Sequence, residues 1–197
     1  TVFHSGDWKI DRTPTFVAGI DEKRLAEIGN EGVDVLVCDS TNVLREGFSP
    51  SERDVADTLM EIVAHAKGRV AVTTFASHVE RVASAVRAAR SHGREVVLAG
   101  RAMRNTIEAA RACGYLHDAG AFLDEDSFGY LPPGKIMLLC TGSQGEPRAA
   151  ISRIAEDNHP NIALEKGDLV VFSSRTIPGN EKEVAMVHNN LAKLDVD

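Results

Sequence analysis

The sequence predicts an α/β fold, a doubly wound and mostly parallel sheet flanked by helices. Three observations carry that prediction. Short apolar runs recur at 33–38, 69–73, 95–99, 135–140 and 168–172, too short for independent helices and too continuous for half-exposed strands. Four of the five stop in small polar residues, and the run 95–99 stops in Gly100-Arg101. Each is then followed by a segment of helical periodicity, so strand, polar loop and helix alternate five times. Right-handed crossovers turn that alternation into parallel strands with helices on both faces.

The elements follow in order. Residues 1–11 predict a short strand running into Ser5-Gly6-Asp7-Trp8-Lys9. Residues 21–30 read as a short helix with Leu25, Ala26 and Ile28 as its apolar positions. The run 33–38 is apolar at five of six positions and is read as the central strand, buried on both faces. Ser49-Pro50-Ser51-Glu52 is a capping box with proline at the first helical position, opening a helix over about 50–67 with Val55, Leu59, Ile62 and Val63 on one face. Gly68 stops it, and the strand 69–73 follows. Ser77, with Glu80 three residues on, is the expected cap of a helix reaching about His92. The strand 95–99 leads through Gly100-Arg101 into a helix to about Ala112. Residues 115–134 are less regular. The strand 135–140 is followed by the glycine-rich loop 141–147 and a helix to about Glu156, and the strand 168–172 by a final helix over 181–194.

Composition narrows the function classes. With 197 residues, 43% hydrophobic and 26% charged, the chain has the make-up of a globular protein able to bury one substantial core. No apolar run approaches the roughly 18–20 residues that span a bilayer, and no secretory leader is visible, which predicts a cytoplasmic protein without membrane contact. A net charge of −7 argues against holding nucleic acid through the overall field, though not against a local patch. Cys38 and Cys140 end strand-like runs and read as buried reduced thiols, and none of the three cysteines has zinc-knuckle spacing. The seven histidines form no HxH or HxxxH pair. The chain lacks a GxSxG elbow, and loop 141–147 has neither a Walker A lysine nor GxGxxG spacing. The chain begins without methionine inside a strand-like run and stops as another begins, which predicts a piece of a longer protein.

In a parallel sheet the strand ends Asp39-Ser40-Thr41, Thr73-Thr74, Thr141-Gly142-Ser143 and Ser173-Ser174 share one edge, where ligands bind. Each loop feeds a helix N-terminus, which attracts anions, so together they predict a cradle for a phosphate-bearing ligand. Each polar residue also has a local reading as a turn or helix cap, Asp39 and Ser40 included.

Several stretches taken together resemble the ribonuclease J branch of the metallo-β-lactamase/β-CASP nucleases. His4-Ser5-Gly6-Asp7-Trp8-Lys9 is similar to the family's HTGDFK-type stretch, and Cys38-Asp39-Ser40-Thr41-Asn42 to its DSTN segment. Thr74-Phe75-Ala76-Ser77, Gly100-Arg101-Ala102-Met103, the run CTGSQGEP at 140–147 and Ile177-Pro178-Gly179-Asn180-Glu181 resemble further signatures, in the family's order. The resemblance implies a β-CASP domain over 21–197, with 1–20 the end of a metallo-β-lactamase domain and linker. It implies an RNA-degrading hydrolase that uses two metals, usually zinc, as a 5′-to-3′ exonuclease, an endonuclease or both. By the match Asp7 bridges the metals, and Asp39 is the catalytic acid that orients a histidine. RNA contacts are expected from Ser40, Thr41, Phe75, Ala76, Ser77, Arg101, Thr141, Gly142, Ser143, Gln144 and Glu146, with Phe75 open to a core role as well. RNA, the missing metallo-β-lactamase domain and, at full length, a second or fourth copy of the chain are the implied partners. The family's histidine motifs are absent from this sequence, so the fragment alone is expected to be inactive and not to hold its zinc fully. Two competing readings are a free-standing nucleotide- or sugar-phosphate-binding module and an interaction domain. Exposed apolar residues on the last helix would favour the latter.

Overall fold

A computed structural model describes residues 1–16, 18–44 and 46–197. The chain forms two compact units, Thr1–Val55 and Ala56–Asp197.

The first unit holds β1 (Val2–His4), α1 (Glu22–Glu31) and β2 (Val35–Val37). β1 and β2 pair in parallel, Val2 opposite Val35 and His4 opposite Val37, with α1 lying on the connection between them. The Asp21 carboxylate accepts the Arg24 N–H at 2.9 Å and caps α1. The run read as a central buried strand is not one. It lies in a two-stranded sheet, and Val35, Leu36 and Val37 are 49%, 58% and 43% exposed. A continuous apolar run signals burial because sheets of this class have a layer on each face. The helix on this connection, α1, has no buried residue of its own. Cys38, expected buried, is exposed for the same reason.

Helix α2 (Glu52–His65) crosses the boundary between the units. Its cap is a capping box displaced from the predicted one: the Ser51 hydroxyl accepts the Arg53 and Asp54 N–H groups at 3.1 and 3.3 Å, while the Asp54 carboxylate accepts the Ser51 N–H at 2.9 Å.

The second unit is built on β3 (Val70–Thr73), β4 (Glu95–Ala99), β5 (Ile136–Cys140) and β6 (Leu169–Phe172). They form one parallel sheet in the order β4-β5-β3-β6, with Thr73 level with Cys140 on one side and Phe172 on the other. The crossovers carry α3 (Val79–Ser91), α4 (Arg101–Ala112) and α5 (Ala150–Ala155), α6 (Glu181–Lys193) follows β6, and 3-10 turns at Glu125–Ser127 and Pro133–Lys135 break up the irregular stretch. β3 and β5 are buried along their length, as two covered faces require. On one face Ala71, Val97, Ile136, Leu138 and Cys140 form a cluster with Ile151 and Ile154 of α5 and Val187 and Leu191 of α6. The alternate residues Val70, Val72, Val96, Met137 and Leu139 are fully buried too, on the opposite side of the pleat, where α3 meets β4 and β5. The doubly wound parallel sheet flanked by helices is thus the observed architecture.

The amino ends of these strands are pinned by buried charge. The Asp168 carboxylate accepts from the Arg69 N–H at 2.8 Å and from its guanidinium at 3.0 Å. The Arg94 guanidinium donates to the carbonyls of Gly68, Ile136 and Ala66 at 2.7, 3.1 and 2.5 Å. Gly68 does more than end a helix, since a Cβ there would lie 2.2 Å from the Gly167 carbonyl oxygen. One cap and one helix start differ from those expected. His78, not Ser77, caps α3, its Nδ1 accepting the Arg81 N–H at 3.3 Å. α5 begins only at Ala150, because 146–149 close a turn in which Ala149 N–H donates to Glu146 O at 2.9 Å. No helix among the described residues is long and apolar enough to cross a membrane. Val17 and Arg45 lie outside the described residues.

Candidate nucleic-acid interface at the strand ends

In the second unit the carboxyl ends of all four strands meet at one edge, as parallel register demands, and hydrogen bonds join the loops there. Thr74 N–H donates to Cys140 O at 3.3 Å and Ser173 N–H to Thr73 O at 2.9 Å. The Thr74 hydroxyl donates to Ser173 O at 3.3 Å. Arg81, early in α3, donates to the same carbonyl at 2.9 Å and to the Ser173 hydroxyl at 2.8 Å. Gly100, which opens α4 at φ +97°, sits so near loop 141–147 that a Cβ would fall 2.7 Å from the Thr141 hydroxyl. Its N–H donates to Glu125 Oε1 at 3.1 Å, which also takes Arg104 at 2.5 Å. A carboxylate from another loop thereby supplies the α4 N-terminus with the negative partner its own glycine cap lacks.

Loop 141–147 turns on two glycines. Gly142 has φ +110° and Gly145 φ +74°, the left-handed region that favours glycine. A Cβ at Gly145 would meet the backbone of Glu183 at 2.5 Å, so this loop lies directly on the first turn of α6. Ser143 and Gln144 are buried, whereas Glu146 is exposed and its carboxylate accepts the Gln144 N–H at 3.1 Å. The Gln144 side chain is fully engaged within the protein. Its amide nitrogen donates to Arg175 O at 2.8 Å and to the Ser174 hydroxyl at 3.4 Å. Its oxygen accepts the Ile177 N–H at 2.8 Å and the Asn180 amide at 3.4 Å.

Of the other predicted residues on this edge, Phe75, Ser77 and Arg101 are exposed, and Ala76 and Thr141 are half-buried. Phe75, at 37% exposure, therefore presents part of its ring to solvent rather than filling the core. Sequence reasoning missed Arg81, whose contact with Ser173 spans 92 residues of chain. It also left out the exposed Arg148, Arg175 and Lys182 on the loops and helix start that follow β5 and β6. Their signal was legible, since each lies within a few residues of a polar strand end.

In the first unit the turns after β1 and β2 also meet at the carboxyl ends of their strands. Ser5 N–H donates to Val37 O at 2.9 Å, and the Trp8 indole N–H donates to Asp39 O at 3.1 Å. The Asp39 carboxylate accepts the Thr41 hydroxyl at 2.5 Å and the Thr41 N–H at 2.9 Å, both on Oδ1. These two bonds, the hydroxyl first, hold the carboxyl below its usual range, so Asp39 is charged at neutral pH. Asp7, Ser40 and Thr41 are exposed. Among the described residues no group of three or more His, Cys, Asp or Glu side chains could hold a metal ion.

A family model described as the ribonuclease J β-CASP domain matches residues 67–191. The chain is 53% identical over 191 residues to a Sinorhizobium meliloti protein named ribonuclease J, covering 97% of this chain and 34% of that protein. It is 45% identical over 194 residues to the ribonuclease J of Corynebacterium glutamicum, covering 98% and 27%, and 40% identical over 194 residues to that of Thermus thermophilus, covering 98% and 34%. The chain thus spans between about a quarter and a third of the length of these relatives, 27% to 34%.

Proposed function

The chain belongs to the ribonuclease J family, and from that premise we propose that it is the RNA-holding β-CASP part of a metal-dependent ribonuclease. The observation that carries the proposal is the match of nearly the whole chain, at 53% identity, to a protein named ribonuclease J. The meeting of four polar loops at one sheet edge supports it, because helix starts and exposed cations there suit a phosphodiester backbone.

Within the proposal, Ser77 offers a hydroxyl, Arg101 a charged donor and Phe75 a face for a base, while Ser143, buried, acts through the loop it belongs to. Gly142 serves the loop itself, since a Cβ there would lie 2.6 Å from the Ala149 Cβ and 2.7 Å from the Ile151 Cγ2, while Thr141 and Ala76 line the edge. Gln144 and Glu146 act through the loop they shape. Asp39, steadied by Thr41, orients and polarises a histidine near the leaving group, and Ser40 and Thr41 flank the RNA. In the full-length protein Asp7 would be one of the residues holding a two-zinc centre, which would supply an activated water for attack on the phosphodiester. The described residues do not build that centre by themselves. Hydrolysis as a 5′-to-3′ exonuclease, an endonuclease or both, a homodimer or homotetramer, and a cytoplasmic location are parts of the same proposal. So is the division of 1–20 from 21–197. The pairing of β1 with β2 makes a truncation series across 20–55 the way to locate that boundary.

The test measures metal content and cleavage of 5′-monophosphorylated RNA, on the full-length protein and on residues 1–197 alone. The proposal expects metal and cleavage from the first, neither from the second, and loss of both on Asp7→Ala at full length. A full-length protein that holds its metal and leaves RNA intact contradicts it.

A further inference from the structure

We propose that Gln144 is a positioning residue, holding the loop after β6 as a rigid strap across the strand ends so that Arg175 and the backbone of 176–179 are set for RNA. The inference rests on the RNA-binding reading above and changes what Gln144 does within it.

The geometry carries the argument. A glutamine side chain has two donor hydrogens and two acceptor lone pairs. At Gln144 all four are matched by the strap: Ser174 and Arg175 receive, Ile177 and Asn180 donate. The side chain is 4% exposed, so it offers an incoming ligand no polar capacity of its own. Two of the bonds fall on backbone groups, Arg175 O and Ile177 N–H, on either side of Thr176. They fix the path of the chain irrespective of the side chains it carries. Arg81 clamps the strap where it leaves the sheet, at Ser173. Between the two clamps, 175–179 are all exposed. A loop held by buried bonds at its base and exposed at its tip is pre-organised, and pre-organisation lowers the ordering cost of binding.

The test uses the full-length protein and two variants. Gln144→Leu keeps the bulk and removes all four bonds. Gln144→Glu keeps the two accepting contacts and loses the two donating ones. Backbone hydrogen exchange over 173–180 is expected to rise about tenfold in Gln144→Leu and less in Gln144→Glu, with 70–73 and 136–140 unchanged. On 5′-monophosphorylated RNA, KM is expected to rise by about tenfold while kcat stays within about twofold, since the strap binds and does not touch the reacting atoms. A purely structural role would lower the amount of active enzyme and leave KM alone. Faster exchange with unchanged KM overturns the inference, and so does unchanged exchange. If the unaltered protein does not bind RNA at all, the RNA-binding reading fails first, and the exchange arm still reports whether Gln144 holds the strap.

Discussion

Replacing Gly145 by alanine separates two costs that usually arrive together. Gly145 has φ +74°, and a Cβ there would lie 2.5 Å from the Glu183 carbonyl carbon and 2.7 Å from the Val184 nitrogen. The left-handed backbone alone costs an L-residue roughly 1–2 kcal/mol. The clash is with backbone, which cannot rotate away, and overpacking of this kind adds about 1–3 kcal/mol. Gly145→Ala should therefore lose about 2–5 kcal/mol of stability. Two companion variants dissect the sum. Gly167 has φ +89° with open space around it, so Gly167→Ala should show the backbone cost alone, about 1–2 kcal/mol. Gly129 has neither a positive φ nor a neighbour within 4 Å, so Gly129→Ala should be close to neutral. Urea unfolding followed by circular dichroism reads all three as shifts in midpoint at constant slope. If Gly145→Ala costs no more than Gly167→Ala, loop 141–147 does not lie on α6 as described, and the reasoning about the strand-end loops fails with it.

Burial pushes the Cys140 thiol up to about 12, whereas Cys38 and Cys113 are exposed. A thiol reagent at neutral pH should therefore label two cysteines in the folded protein and three in urea, and a third label without denaturant would contradict this. His159 is held below its usual pKa, by burial first, against the opposing pull of Glu125 at 3.7 Å. The fold prefers its neutral form, so its contribution is complete above about pH 6.5 and is lost as pH falls through the lower folded value. The unfolding midpoint should drop between pH 7.5 and pH 5.5, less so in His159→Gln, and an identical drop in both would assign the effect elsewhere. Ser51→Ala removes the hydroxyl that caps α2 and should cost about 0.5–2 kcal/mol in the same urea assay.

Much of the second unit was legible in the sequence because its signals are local. The strands at 95–99 and 136–140 begin and end within a residue of their expected bounds, since a continuous apolar run closed by polar residues needs no distant information. The order β4-β5-β3-β6 was not legible, because it depends on which crossover lands beside which strand. The run 33–38 misled for a related reason: its apolar pattern reports what a strand needs on its faces, not what this chain places there. Cap choice turned on fractions of a turn, as at His78 and Ser51, where neighbouring residues compete for the same N–H groups. Gln144 is the sharpest case. Its place in a polar strand-end loop pointed to a ligand contact, but whether such a side chain faces outward or inward depends on a loop some 30 residues later. On α6 only Met186 stands out as an exposed large apolar residue, and single exposed side chains are ordinary, so the interaction-domain reading gains nothing from that helix.

On the proposed function, RNA is expected to lie across the carboxyl ends of the four-stranded sheet. Photo-crosslinking reads it directly, with a 5′-monophosphorylated oligonucleotide carrying 4-thiouridine, the full-length protein and peptide mapping of the adducts. The prediction is that adducts within this chain fall in 74–78, 100–101, 141–148 and 173–182. Adducts concentrated instead at the opposite end of the same strands, around 67–69, 94 and 165–168, would contradict it.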